Sequence, residues 1–156
     1  MVHVRRARRE DAARILDVHQ AAIFGDGPHS YSSAQVEAWA TRDHGPEGYA
    51  IGEAGQEYLV AEVDETVVGF GHLNTESREI EAVYVHGDYL RRGVGNALLA
   101  RLETLAREAG FDAVTLSASL NAVPFYEAKG YRDEGGVVHE TTGGVELDCR
   151  RMAKRL

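Results

Sequence analysis

The chain has 156 residues, 44% of them hydrophobic and 27% charged, which suits one domain with one core and excludes a disordered polymer. Its formal charge of −8 repels phosphate backbones, so no nucleic-acid partner is expected, and the same field attracts cations such as amines. No apolar run nears the roughly 18 residues of a membrane span, the first residues lack a secretory pattern, and Cys149 is the only cysteine; the expectation is a cytoplasmic protein with no membrane partner and no intrachain disulfide.

In chain order, residues 2–6 read as a short strand and 11–23 as a helix, with Ala13, Leu16, Ala21 and Ile23 among its apolar positions. Gly25-Asp26-Gly27-Pro28 is expected to break that helix. Residues 33–40 read as a second helix capped by Ser32 or Ser33, and 41–55 as loop. Three strands follow at 57–63, 67–73 and 79–85, the first two joined by the short link Asp64-Glu65-Thr66.

The strongest helical pattern spans 93–109. Val94, Leu98, Leu102, Leu105 and Ala109 form one apolar stripe, Arg101, Glu103, Arg107 and Glu108 fall outside it, and Gly110 ends it. A strand at 113–116 and a short helix at 123–128, stopped by Gly130, come next. Closing strands are expected at 131–134, 137–141 and 145–152, with Gly143-Gly144 as a turn. The central strand-helix-strand unit predicts a right-handed parallel crossover inside an otherwise hairpin-rich α/β mixture.

The segment from Tyr84 to Asn96 carries the most information. A strand runs into a loop and then into the strong helix. Gly93 and Gly95 leave the backbone open to a ligand. The first N–H groups of a helix lack internal partners and favour anions, and Arg91 and Arg92 add full positive charges. Together they predict a pyrophosphate cradle. A dinucleotide fingerprint would need a third glycine where Leu98 stands, and a P-loop would need a Gly-Lys-Ser/Thr run that the chain lacks.

Residues 90–95 resemble the acetyl-CoA motif of the GNAT acetyltransferase superfamily, Gln/Arg-x-x-Gly-x-Gly/Ala, at both glycines; Leu90 departs from the Gln or Arg of its first position. The run from Asn121 through Phe125, Tyr126, Glu127 and Gly130 to Tyr131 is similar to the family's Phe-Tyr-Glu-x-x-Gly-Phe element, and Arg151-Met152-Ala153-Lys154 resembles the last strand of many members. The resemblance covers essentially the whole chain. It implies one GNAT domain over residues 1–156, an α/β (α+β) fold with a mixed central sheet of about six to seven strands and about four flanking helices. It also implies acetyl-CoA as acyl-donor cosubstrate, and transfer of acetyl to a primary amine by direct attack in a ternary complex.

The same resemblance implies the site. Val83, Tyr84 and Val85 would bind pantetheine through their backbone, with the Val85 N–H as oxyanion donor. Leu90, Arg91, Arg92, Gly93, Val94, Gly95 and Asn96 would cradle the pyrophosphate, with Phe125 also against the cofactor. Ser119 stands where the family often has a CoA-contacting asparagine; Asn121, two residues on, either takes that role or caps the following helix. Tyr126 matches the general acid, since a phenol near pKa 10 stays protonated at neutral pH. Glu79 falls where the histone-acetylating branch keeps its base, and Glu81 is the second candidate; simple alternation puts both on one strand face with Val83 and Val85.

Phe24 and Tyr31 head the candidates for acceptor binding, within a stretch that also holds His29, Trp39, His44 and Tyr49. Trp39 by itself reads better as an anchor of its helix. No metal is expected, because the seven histidines show no ligand spacing. Cys149 reads as a buried structural thiol. The acceptor is an amine of a small molecule or of a protein, and both a monomer and a homodimer are compatible with the sequence. A catalytically weak acyl-CoA-binding or sensing module is the alternative function; Tyr126 and the glutamates argue for the enzyme.

Overall fold

The computed structural model describes residues 1–41 and 45–156. Its elements run β1 (Val2–Arg6), α1 (Ala12–Asp26), α2 (Ser33–Ala40), β2 (Gln56–Val63), β3 (Thr66–Asn74), β4 (Glu79–Val85), α3 (Val94–Glu108), β5 (Ala113–Ser119), α4 (Val123–Ala128), β6 (Arg132–Glu140) and β7 (Glu146–Arg155). The seven strands form one sheet in the order β1-β2-β3-β4-β5-β7-β6. Every neighbouring pair is antiparallel except β4 and β5, which are parallel and joined through α3. This is the mixed α+β sheet that the sequence predicts.

Local chemistry sets most element ends. Ser32 caps α2, its side chain accepting from the Gln35 N–H while Gln35 reaches back to the Ser32 N–H. Asp64 and Glu65 both have positive φ, +50° and +66°, so β2 and β3 join through a two-residue turn of the kind whose twist matches a hairpin. Gly110 and Gly130 end α3 and α4 in the left-handed region.

Five expectations need correction. Gly25 does not break α1, which continues to Asp26; it packs against the loop after β4, where a Cβ would make an ordinary contact of 3.6 Å with the Gly87 Cα. The buried face of α1 is Ile15, Val18, His19 and Ile23, while Ala13 is exposed, because the helical period counts from Ile15. The expected strands at 131–134 and 137–141 are one strand, β6, with an irregular register between Asp133 and Gly135 that keeps the ladder going. On α3, Ala109 is exposed and Ala106 takes its place.

Glu103 is the fifth correction. It is 7% exposed rather than on the outer face. It lies one turn from both Leu99 and Ala106, and its carboxylate accepts from the Tyr131 hydroxyl at 2.7 Å and from Lys154 Nζ at 3.1 Å. Partners distant in sequence satisfy a charge that a helical wheel assigns to solvent.

The sheet is covered on both faces. Leu98 and Leu102 of α3 pack with Leu59, Leu73, Leu116 and Met152, and Ile15 and Val18 of α1 pack with Val60 and Phe70 on the other side. Each such side chain contributes about 1.5–3 kcal/mol when fully buried. Helix α3 lies close to β3 because Gly69 and Gly71 lack side chains; a Cβ at Gly71 would stand 2.8 Å from Leu102 Cδ1, and one at Gly69 2.9 Å from Val94 Cγ1.

Candidate active site

The site begins where the sheet comes apart. β4 and β5 are joined at a single register pair, Glu79 with Thr115, after which the two strands separate. On the other side of β4, the His86 N–H donates to the Val68 carbonyl at 2.8 Å. Antiparallel alternation then makes Tyr84–Phe70 a bonded pair and leaves Val83 and Val85, opposite Gly71 and Gly69, with their N–H and C=O groups turned away from β3 toward the gap. An open backbone edge of this kind can accept a strand-like ligand.

The loop after β4 shapes one end of the gap. Arg91 and Gly93 both lie in the left-handed region, at φ +63° and +80°, a conformation that gathers backbone N–H groups into a concavity. The first bond inside α3 runs from the Ala97 N–H to the Gly93 carbonyl at 3.0 Å. The N–H groups of Val94, Gly95 and Asn96 therefore have no acceptor within the helix. A Cβ on Gly95 would stand 3.3 Å from the Phe125 ring and 3.7 Å from Val85.

These elements enclose a cavity of about 370 Å³. Val83, Tyr84 and Val85 form one wall, and Leu90, Arg91 and Gly93 through Asn96 form another. Asn121, Phe125 and Tyr126 close it, together with Asp26 and Tyr89. Of the residues expected around a cofactor, Arg92 alone does not line this cavity; its guanidinium lies 5.2 Å over the Tyr89 ring, which does.

Tyr126 is 6% exposed, with its ring edge-on to Phe125 and Tyr131 at 5.1 and 5.5 Å. Burial, and secondarily nearby Tyr84, push its pKa up, so the phenol is protonated at neutral pH. Asn121 does not cap α4, whose N-cap is Ala122. Its Nδ2 donates instead to Asp26 Oδ2 at 2.7 Å, while its Oδ1 is buried with no partner among the described residues. An acceptor left in that state requires a donor from a ligand or water.

A second cavity of about 440 Å³ lies beside the first and shares Trp39, Tyr84 and Ser119 with it. Aromatic rings supply much of its wall. His19 lies 4.3 Å from the Tyr84 ring and its Nδ1 is 2.9 Å from the Tyr49 hydroxyl. His72 stacks on Tyr58 at 4.0 Å, and its Nε2 is 2.6 Å from Gln56 Oε1. Burial pushes the His72 pKa down to about 4, so the ring is neutral at physiological pH.

Glu79 and Glu81 both line this second cavity. The register of β3 on β4 shifts between His72 and Leu73, which pair with Ala82 and Ile80, so Glu81 is the extra residue of a bulge. That bulge corrects the simple alternation. Both glutamates belong with Ala82 and Tyr84 on the second cavity, whereas Val83 and Val85 pack with the α3 core and face the first. The two carboxylates differ. Glu79 Oε1 accepts from Arg151 at 2.9 Å. Glu81 has no such bond among the described residues; desolvation, then the neighbouring Glu79 charge, raise its pKa, with Arg151 opposing.

The acceptor candidates divide. Phe24 is 54% exposed and lines neither cavity, and exposed His29 sits 4.0 Å from Asp26, also outside both. Tyr31 lines the second cavity, but its hydroxyl is also a brace, donating to the Asp148 carbonyl at 2.6 Å and accepting from the Leu120 N–H at 3.0 Å. Trp39 lines both cavities, Tyr49 lines the second, and His44 lies outside the described residues. Cys149 is buried against Tyr31, and burial raises its thiol pKa, as befits a structural thiol. Tyr58, Phe70, His72 and His19 were not singled out by sequence; the period-2 spacing of Phe70 and His72 on an apolar strand was the available signal. No cluster of three or more metal-ligating side chains occurs among the described residues.

Comparison with known proteins follows the same lines. The acetyltransferase (GNAT) domain family matches residues 28–146. The uncharacterised N-acetyltransferase YafP of Escherichia coli is 27% identical over 149 residues, covering 96% of this chain and 88% of that protein. A crystal structure of a GCN5-related N-acetyltransferase from Rhodopseudomonas palustris superposes with a TM-score of 0.92 at 33% identity, covering 99% of this chain and 95% of the other. The PaiA N-acetyltransferase of Thermoplasma acidophilum, solved in complex with coenzyme A, shares the fold at 21% identity with a TM-score of 0.79, over 100% and 99% of the two chains. No helix is long and apolar enough to cross a membrane among the described residues.

Proposed function

Because the chain belongs to the GNAT acetyltransferase family, we propose that it transfers an acetyl group from acetyl-CoA to a primary amine by direct attack, with the donor in the first cavity and the amine in the second. The observation that carries this reading is the junction of the two cavities at Trp39, Tyr84 and Ser119, with Tyr126 lining one side and Glu81 the other. The first cavity suits the acyl-donor substrate. The outward backbone of Val83 and Val85 matches the amide-bearing pantetheine arm, the unpaired Asn121 Oδ1 can accept one of its N–H groups, and the start of α3 suits a pyrophosphate.

The chemistry follows from the groups present. A thioester needs no covalent enzyme intermediate, but the amine must be neutral to attack. Glu81 takes one proton from the ammonium, directly or through water. The nitrogen then attacks the carbonyl carbon, forming the C–N bond, and the Val85 N–H stabilises the oxyanion. The C–S bond breaks as the Tyr126 hydroxyl protonates the departing thiolate, and the nitrogen loses its second proton, which returns Tyr126 to the phenol. The net products are the acetylated amine, CoA thiol and one released proton.

Glu81 is the preferred base over Glu79 because the Arg151 ion pair lowers the availability of the Glu79 carboxylate, whereas desolvation raises the basicity of Glu81. A thiol-release assay with acetyl-CoA and a panel of amines, with products identified by mass spectrometry, tests the reading. Acetyl-CoA binding without thiol release on any amine would instead establish an acyl-CoA-binding module.

A further inference from the structure

We infer that the acceptor is a small primary amine with an aromatic or hydrocarbon body and no carboxylate. This rests on the proposed acetyl transfer and concerns only the second cavity. Its walls include the rings of Tyr31, Trp39, Tyr49, Tyr58, Phe70 and Tyr84. These rings are held against one another. Tyr49 meets Tyr58 and Phe70 edge-on at 6.3 and 5.9 Å, Phe70 stacks on Tyr84 at 5.6 Å, and Tyr31 meets Trp39 edge-on at 5.6 Å. The exposed ring faces suit an apolar body and a cation alike, beside a polar share of the wall that the histidines, Ser117, Ser119 and the two glutamates supply. At about 440 Å³ the space is within the range of small-ligand sites.

Charge narrows the class further. Among the described residues, no lysine or arginine lines this cavity, and its acidic groups are Glu79 and Glu81. Arg151 pairs with Glu79 and also donates to Thr115 Oγ1 at 2.7 Å and to Ser117 Oγ at 3.4 Å, so its hydrogen bonds are taken up by residues of β4 and β5. Of the three histidines on the lining, His72 is neutral by burial, His19 is hydrogen-bonded to Tyr49, and His139 is exposed on the edge strand β6. Glu81 is therefore the lining carboxylate with no ion pair of its own among the described residues. An ammonium is matched there; the carboxylate of an amino acid would be desolvated beside a like charge, with no lysine or arginine of the lining among the described residues to receive it.

Matched acceptors that differ by one carboxylate test the inference. With the purified protein and saturating acetyl-CoA, kcat/KM is measured for phenethylamine against phenylalanine and for tryptamine against tryptophan, with a lysine-containing peptide and kanamycin alongside. Each amine should exceed its amino acid by at least about tenfold, which corresponds to ~1.4 kcal/mol. Glu81→Gln should lower both rates and shrink the ratio at least about threefold; a ratio taken within one variant is insensitive to how much of it folds. Equal use of amines and amino acids, preference for the peptide or kanamycin, or a ratio unchanged in Glu81→Gln would overturn the inference while leaving acetyl transfer intact. Thiol release with none of these acceptors would overturn the inference, and its absence across the wider amine panel as well would overturn both.

Discussion

Replacing Gly95 and Gly93 with alanine, one at a time, separates ligand space from backbone strain in the same loop. Gly93 has φ +80°, and nothing lies within 4 Å of the position a Cβ would take. Alanine there has room but must hold a left-handed backbone, at a cost of ~1–2 kcal/mol. In a chain of this size that lowers Tm by about 2–8 °C. Gly95 is the second residue of α3 and has helical backbone. Its Cβ would stand 3.3 Å from Phe125 and 3.7 Å from Val85, so the ring must give by a few tenths of an ångström. Removing a glycine from a helix gains up to ~1 kcal/mol in an interior position and less at an end, which leaves the net stability change within about 0.5 kcal/mol. The new methyl, however, occupies the gap between two walls of the donor cavity. Calorimetry should find acetyl-CoA bound about tenfold more weakly by Gly95→Ala, ~1.4 kcal/mol, with Tm nearly unchanged, whereas Gly93→Ala should lower Tm. Wild-type affinity in a folded Gly95→Ala protein, or affinity losses in the two variants that simply track their Tm, would refute the assignment of this cavity to the donor.

Tyr126→Phe keeps the ring contacts with Phe125 and Tyr131 and should lower kcat by roughly 10²-fold or more while the Kd for acetyl-CoA stays the same; steady-state kinetics with calorimetry reads both. Glu81→Gln should lower kcat/KM at pH 7 by about 10–10²-fold and by progressively less toward pH 10, where amines with pKa near 10.4 deprotonate unaided; a pH–rate profile with a flat ratio across that range would remove Glu81 from base duty. Glu79→Gln should have the smaller effect. The folded-state pKa of His72 is depressed to about 4, so between about 6.5 and 4 the unfolded chain binds the extra proton and stability falls as pH falls. Discounted for its partial exposure, that loss is about 2 kcal/mol, and denaturant titration of His72→Phe should show a shallower decline over the same window.

How far the sequence reached differs from element to element. The strand-loop-helix around Gly93 and Gly95, the short helix carrying Tyr126 and the capped helix at Ser33–Ala40 were legible because capping, left-handed glycines and apolar periodicity are local signals. The faces of β4 were not. A period-2 count assigned Glu79, Glu81, Val83 and Val85 to one side, and the bulge opposite His72 and Leu73 split that set between two cavities. A bulge is a property of two strands together, so neither strand announces it alone. Glu103 was misassigned to solvent for a similar reason, since Tyr131 and Lys154 reach it from distant parts of the chain.

The amino-acid order by itself determined the family, the run of elements, the glycine-rich start of α3 with its open N–H groups, and the short helix that carries Tyr126. These depend on contacts within about one helical turn or one hairpin. Tertiary structure decided which residues share a cavity. Tyr58 and Phe70 from the central hairpin, His19 from α1 and Leu147 from β7 meet around one space, and Arg151 singles out Glu79 from Glu81. Sheet order and strand register bring those groups together, and both are fixed by packing of α1 and α3 on opposite faces of the sheet, where the free energy depends on all the buried side chains at once and on no short segment alone.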